Sequence, residues 1–150
     1  MDQEDLAKPR MSGADYGRGL TGFGLNVIVT DLNRSVRFAK QVLGAEVFFR
    51  TDVFAAMILS GNHFMFHIND SYRGNALHPT LVSDAARGVG VELRCYEVDP
   101  DAAESRARGL DYTILAGSID KPHGLRECMI LDDDGFVWIP SKRLKPNALA

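Results

Sequence analysis

His67, Glu92 and Arg94 are the side chains of this 150-residue sequence whose types and setting suit chemistry. An imidazole titrates near neutrality, so His67 in "HFMFHI" is the candidate general base or hydrogen-bond donor, and Glu92 in "VELRCYEV" is its candidate acid-base counterpart. Each has a structural alternative: His67 as a hydrogen-bonded core histidine, and Glu92 and Arg94, two apart on a strand, as an ion pair that satisfies itself. His63 and His67 share a strand face, but four strand residues span roughly 13 Å, too far for both rings to hold one ion. His78 and His123 fall in loop-like stretches with no partner visible in the sequence. Arg126 and Glu127 are adjacent and must face opposite sides of one strand, which leaves open which of them joins the candidate ligand-facing side. The acidic run Asp132 to Asp134 lacks the ligand spacing of a calcium loop and reads as a solvated hairpin turn. There is no glycine-rich phosphate loop and no G-x-S-x-G, and neither cysteine sits in a catalytic signature.

The elements that must position these residues occur twice. In "GLNVIVTDLNRSVRFAKQVLG", Leu25, Val27 and Val29 alternate with Gly24, Asn26 and Ile28 as in a strand with two distinct faces. Asp31 then suits a helix N-cap, apolar residues recur at helical spacing, and Gly44 suits the stop. Three strands follow, "EVFFRT", "VFAAMILS" and "HFMFHI", the last two joined by the hairpin signal "SGN". The second half repeats the order: strand "VELRCYEV", cap Asp99, Pro100 at the first helical position, Gly109 as the stop, then "YTILAG", "RECMILD" and "FVWIPS". From cap aspartate to hairpin glycine the second copy is six residues longer, which the stretch "GSIDKPHGL" would hold as a loop. A unit repeated in this way, and too small to close its own core, implies that the copies pack together. The predicted class is therefore α+β, with two tandem βαβββ modules. Module 1 spans about residues 22–69, a linker about 70–89 and module 2 about 90–143; residues 1–21 read as a mobile tail and 144–150 as a second tail.

The joint "VIVTDLNRSVRF", its echo "EVDPDAA", the stretch "HGLRECMILDDDGFVWIPS" and the paired βαβββ order resemble the vicinal oxygen chelate superfamily, the glyoxalase, bleomycin-resistance and extradiol-dioxygenase group. The resemblance covers about Gly22 to Ser141 and implies curved mixed sheets around a cup. Metal-using members place ligands on the first and last strand of each module. Measured from the cap aspartates and hairpin glycines, those positions here are Gly24, Met65, Glu92 and Ile139. Glycine has no side chain, isoleucine cannot coordinate, and a thioether suits soft metals; Glu92 alone could bind, and with one histidine it would make only a two-ligand site, so no metal site is expected. A divalent ion remains the alternative.

By strand parity the cup face would carry Asn26, His67, Glu92, Arg94 and Tyr96, with Met65, Ile28, Val137 and Ile139 as apolar wall. The expected ligand-binding set is Asn26, Met65, His67, Glu92, Arg94, Tyr96 and Ile139, with no metal-ligating residue and His67 and Glu92 as catalytic candidates. Trp138, Phe136, Phe64 and Phe66 fall on the opposite faces. The leading expectation is a metal-independent, cofactor-free binding protein of bleomycin-resistance type, holding a small organic ligand. The alternative is a lyase, isomerase or ring-cleaving oxygenase that uses a divalent metal or a His67/Glu92 pair.

Composition narrows the partners. With 45% apolar and 25% charged residues and no apolar run near the roughly 18 of a membrane span, no membrane partner is expected. A formal charge of −3 without a basic block argues against nucleic acid. Cys95 and Cys128 lie in strand-like runs, which suits buried free thiols in a reducing cytoplasm. The resemblance further implies a homodimer.

Overall fold

Two copies of one strand order organise the chain. The computed structural model describes residues 11–82 and 87–145; the remainder of both expected tails, and residues 83–86 of the expected linker, lie outside the described residues. The described elements are β1 (Asn26–Val29), β2 (Glu46–Arg50), β3 (Phe54–Leu59) and β4 (Asn62–Ile68) in one sheet, and β5 (Glu92–Tyr96), β6 (Thr113–Asp120), β7 (Leu125–Leu131) and β8 (Val137–Arg143) in the other. The helices are α1 (Gly13–Gly19), α2 (Leu32–Phe38), α3 (His78–Leu81) and α4 (Pro100–Gly109). The sheets run β1-β4-β3-β2 and β5-β8-β7-β6. In each, the first strand pairs parallel with the last and the other pairs are antiparallel, so both are curved, open and mixed, as the βαβββ pattern predicts.

Local chemistry explains the shared joints. Asp31 Oδ1 accepts from Arg34 N at 3.0 Å, and Asp99 Oδ1 accepts from Asp101 N and Ala102 N at 2.9 and 3.2 Å, so both aspartates satisfy helix-start amides that have no partner within the helix. Ser60 and Gly61 both have positive φ and connect Leu59 to Asn62 as a two-residue turn, the geometry that follows strand twist. Cys95 and Cys128 are buried free thiols as expected; burial pushes them up to about 12 and about 11, so neither offers a thiolate nucleophile at neutral pH.

Four local expectations change. The helix of the second copy continues through Gly109, and the left-handed residue after it is Asp111. The stretch expected as a loop is largely strand: β6 runs on to Asp120 with two register shifts between Ile114 and Ile119, and only residues 121–124 separate it from β7. Asp132 is not a solvated turn residue. It is buried, accepting from Asp134 N, Phe136 N and Trp138 Nε1 at 3.0, 2.9 and 2.8 Å, so its carboxylate builds the turn. Burial nevertheless pushes its pKa up. Finally, residues 13–19, expected within a mobile tail, are helical and carry a buried tyrosine.

The chain divides into two compact units, Met1–Arg37 with Ala45–Ala85, and Phe38–Gly44 with Ala86–Ala150. The first contains a core of Val27, Val29, Phe64 and Phe66 on one sheet face. In the second, α4 packs across β6, β7 and β8 and against the turn Ala39–Leu43. That turn, in sequence the end of the first copy's helix, is a π-helical segment closed by Gly44 in left-handed conformation. Phe38 meets Tyr112 edge-on at 4.9 Å and Trp138 at 5.9 Å, while Arg106 donates from Nε and Nη2 to Val42 O at 3.1 and 2.7 Å.

Candidate functional site

In the first unit, strand register builds rows of side chains on one face. Asn26 pairs with Met65, Met65 with Ala56 and Ala56 with Phe49; Ile28 pairs with His67 and His67 with Phe54. Asn26, Met65 and His67 are therefore brought together as parity predicted. His67 Nδ1 lies 2.8 Å from Asn26 Oδ1, and Asn26 Nδ2 donates to Tyr72 Oη at 2.6 Å. An amide oxygen can only accept, so His67 carries its proton on Nδ1 and keeps Nε2 as an acceptor. Burial lowers the His67 pKa, favouring this neutral form at physiological pH. Phe54 at 4.6 Å and Tyr72 at 5.7 Å, ring to ring, fix the imidazole plane. The structural alternative, a hydrogen-bonded histidine, thus holds for one nitrogen and leaves the other available.

Tyr72 was missed by the sequence reading. It lies in the short 3-10 turn Asn69–Tyr72, in a polar connector with no periodic pattern to mark it. Tyr16 was missed as well. It enters this same face from α1, packing with Phe49, Ala56, Phe48, Phe54 and Met65, and is only 6% exposed. The signal was Ser12 three residues before Asp15: Ser12 caps α1 by accepting from Asp15 N at 3.1 Å. Phe48 and Phe49 both reach Tyr16, although neighbours on a strand face oppositely, because the register shifts between Val47 and Phe49. Beside Tyr16 a cavity of about 650 Å³ is bounded by Asp15, Phe23, Phe48, His63 and Met65 among others. His63, exposed as expected, stands edge-on to Phe48 at 5.1 Å.

The second unit presents a different face. Arg94 Nη1 donates to Glu92 at 3.0 Å, and Arg94 Nη2 binds Glu127, a carboxylate only 6% exposed. The guanidinium carbon lies 6.0 Å from the centre of the Tyr96 ring, and His123 Nε2 approaches Glu127 at 3.4 Å. Burial works against the charge on Arg94, but the bonds to Glu92 and Tyr96 and the charge of Glu127 outweigh it and raise its pKa. Here the self-satisfying ion pair is realised, and Glu92 is committed to it. Glu127 proves to be the member of its pair on the Arg94 side, whereas Arg126 bonds Asp101 and Asp120 at 2.7 and 2.8 Å. Alternation from buried Cys128 carried that signal. Tyr96 is exposed. Ile139 pairs with Arg94 on this same face and is fully buried. A second cavity of about 420 Å³ lies between Arg87–Glu92, Leu115, Met129 and Val137.

With this duplicated fold and these faces in place, the comparisons define the class. Residues 23–139 match the family model of the Glyoxalase/Bleomycin resistance protein/Dioxygenase superfamily, and the chain belongs to that superfamily. Among solved structures it is similar to a protein of unknown function from Agrobacterium tumefaciens str. C58 (21% identity, 84% of this chain and 96% of that one, TM-score 0.67). It is also similar to a glyoxalase/bleomycin resistance protein/dioxygenase family enzyme from Burkholderia phytofirmans PsJN (15% identity, 80% and 96%, TM-score 0.66) and to TioX from Micromonospora sp. ML1 (23%, 82% and 100%, TM-score 0.60). At these identities the likeness shows the fold. No curated protein matches the sequence.

The residues at the superfamily's metal positions do not fit an ion. Met65 stands across from Asn26 and Ile139 across from Arg94, so both modules hold the same register. Yet Gly24 offers no donor, Met65 packs against Tyr16, Glu92 is bonded to Arg94, and Ile139 is buried hydrocarbon. Among the described residues no group of three or more His, Cys, Asp or Glu side chains is placed to hold an ion. Nor is any described helix long and apolar enough to cross a membrane.

Proposed function

We propose that the protein is a metal-independent small-molecule binding protein of bleomycin-resistance type. The observation that carries this reading is the Tyr72–Asn26–His67 chain: a hydrogen-bond relay that fixes a neutral imidazole with Nε2 as acceptor, on a face otherwise walled by aromatic rings and Met65. Few polar groups fixed in orientation among many apolar ones is the usual make-up of a pocket for an organic ligand. In this reading the ligand donates to His67 Nε2 and Met65 supplies wall. Buried free thiols suit work in the cytoplasm, and the protein acts as a homodimer; equilibrium sedimentation giving a monomer at micromolar concentration would remove that part.

The test is thermal-shift screening of metal-free protein against small aromatic compounds. A ligand that raises Tm for the native chain, and no longer does so for Asn26→Leu or His67→Ala, is the expected result. Stoichiometric Fe, Mn, Ni or Zn retained through purification would overturn it. One observation favours the enzymatic reading, a lyase or isomerase: the neutral His67 with a free Nε2 is also what a general base needs. Glu92, held by Arg94, does not serve as its partner there. Turnover of a carbon acid that disappears in His67→Ala would decide for it.

A further inference from the structure

Tyr16 is an unusual plug. Its ring is held by Phe48, Phe49, Phe54 and His63 at 5.8, 6.4, 6.0 and 6.3 Å between centres, with Met65 and Ala56 on the floor. Its hydroxyl is buried without a hydrogen-bond partner. An orphaned hydroxyl is a penalty that a phenylalanine would avoid. Burial also raises the Tyr16 pKa, keeping the group a neutral phenol. The helix that delivers it is weak: seven residues, "GADYGRG", three of them glycine, each glycine less favourable in a helix than alanine. Gly22 and Gly24 follow it, the former in left-handed conformation, before β1 begins. The ring fills an aromatic box, but the contact that places it there is lightly secured.

We propose that this box is a binding site for an uncharged planar aromatic ligand of the phenol or naphthol class, and that Tyr16 is an internal occupant which such a ligand displaces. The inference rests on the small-molecule reading above and adds the ligand's chemistry and its competitor. The box is walled by aromatic rings, a thioether and a methyl group; Asp15, at the rim of the adjoining cavity, is already bonded to Arg18 and Ser12. A charged ring would lose its hydration there with no counter-ion in return. The cavity of about 650 Å³ beside the ring gives room for a ligand larger than a tyrosine side chain.

The experiment uses the full chain as native protein, Tyr16→Phe and Tyr16→Ala. The probes are p-cresol, which is the tyrosine side chain itself, and 2-naphthol. Affinity is measured by calorimetry, and hydrogen exchange is followed over residues 13–19. Displacement predicts that 2-naphthol speeds exchange in α1 of the native chain. Tyr16→Phe, freed of the orphaned hydroxyl, should plug the box more firmly and weaken binding of both probes by at least roughly fivefold. Tyr16→Ala should bind them more tightly than the native protein; if that variant does not fold, the native and Tyr16→Phe pair decides. Binding with α1 exchange unchanged, equal affinity in native protein and Tyr16→Phe, or no binding of either probe to any variant would overturn the proposal. The small-molecule reading stands or falls separately, on whether screened compounds lose their thermal shift in Asn26→Leu and His67→Ala.

Discussion

The two modules share a strand order and a register, yet their equivalent faces use opposite chemistry. On the first, Asn26, Met65, Ala56 and Phe49 form a neutral row under Tyr16, and a single imidazole is held by amide and phenol. On the second, Arg94 stands between Glu92 and a buried Glu127. The same backbone positions, Asn26 opposite Met65 and Arg94 opposite Ile139, thus carry a polar relay in one copy and an ionic cluster in the other. Duplication preserved what the hydrogen-bond ladder requires and left the side chains of one face free to diverge. The superfamily's fold persists here with a glycine, a methionine, a glutamate and an isoleucine at the four positions where metal-using members place ligands.

The sharpest way to separate the faces is to remove the cation. Arg94→Met strands the Glu127 carboxylate in a buried site and should cost about 3 kcal/mol in chemical denaturation. Arg94→Met with Glu127→Leu should recover most of that loss, because the penalty belongs to the unpaired charge; additive losses would show that the pair is not the organising feature. The neutral face should respond less. Asn26→Leu leaves His67 Nδ1–H and Tyr72 Oη without their shared partner and should cost about 2 kcal/mol, with far less in a Tyr72→Phe background.

The faces also differ in pH response. The folded state holds His67 with a pKa below its unfolded value, so the unfolded chain binds more protons in acid. Stability from this site is complete above the ordinary histidine range near 6.5 and is lost as pH falls through that value towards the lower folded one. Denaturation midpoints of His67→Gln should therefore decline less steeply between neutrality and mild acid than those of the native chain. Equal slopes would mean that burial of His67 contributes nothing. The smallest effect compares the two caps. Asp31→Ala and Asp99→Ala should each cost about 1 kcal/mol, the second more because its carboxylate meets two amides and the first meets one. A reversed order in Tm would place the difference elsewhere in the helices.

Much of this was legible without coordinates. Asp31, Asp99, Gly44 and the Ser60–Gly61 turn act through bonds to residues within five positions, so their roles can be read from local spacing. Alternation placed Asn26, Met65 and His67 on one face and Phe64 and Phe66 on the other, because strand parity is a property of the backbone. Partners of the site residues were not legible. Tyr72 meets Asn26 across 46 residues, and Arg94 meets Glu127 across 33, separations at which no sequence period operates. The bulge that turns Phe48 beside Phe49 breaks parity itself and leaves no mark in composition.

By itself, the sequence determined the duplicated βαβββ order, the capped joints and the residue types at the superfamily's four metal positions, of which Glu92 alone is an oxygen donor, since each depends on residue type at short range. Only the tertiary structure decided which polar groups find each other, that Glu92 is bound up with Arg94, and that Tyr16 fills the aromatic face. Those outcomes depend on which side chains the folded chain brings within a few ångströms, and short-range hydrogen bonds and packing act only at such distances.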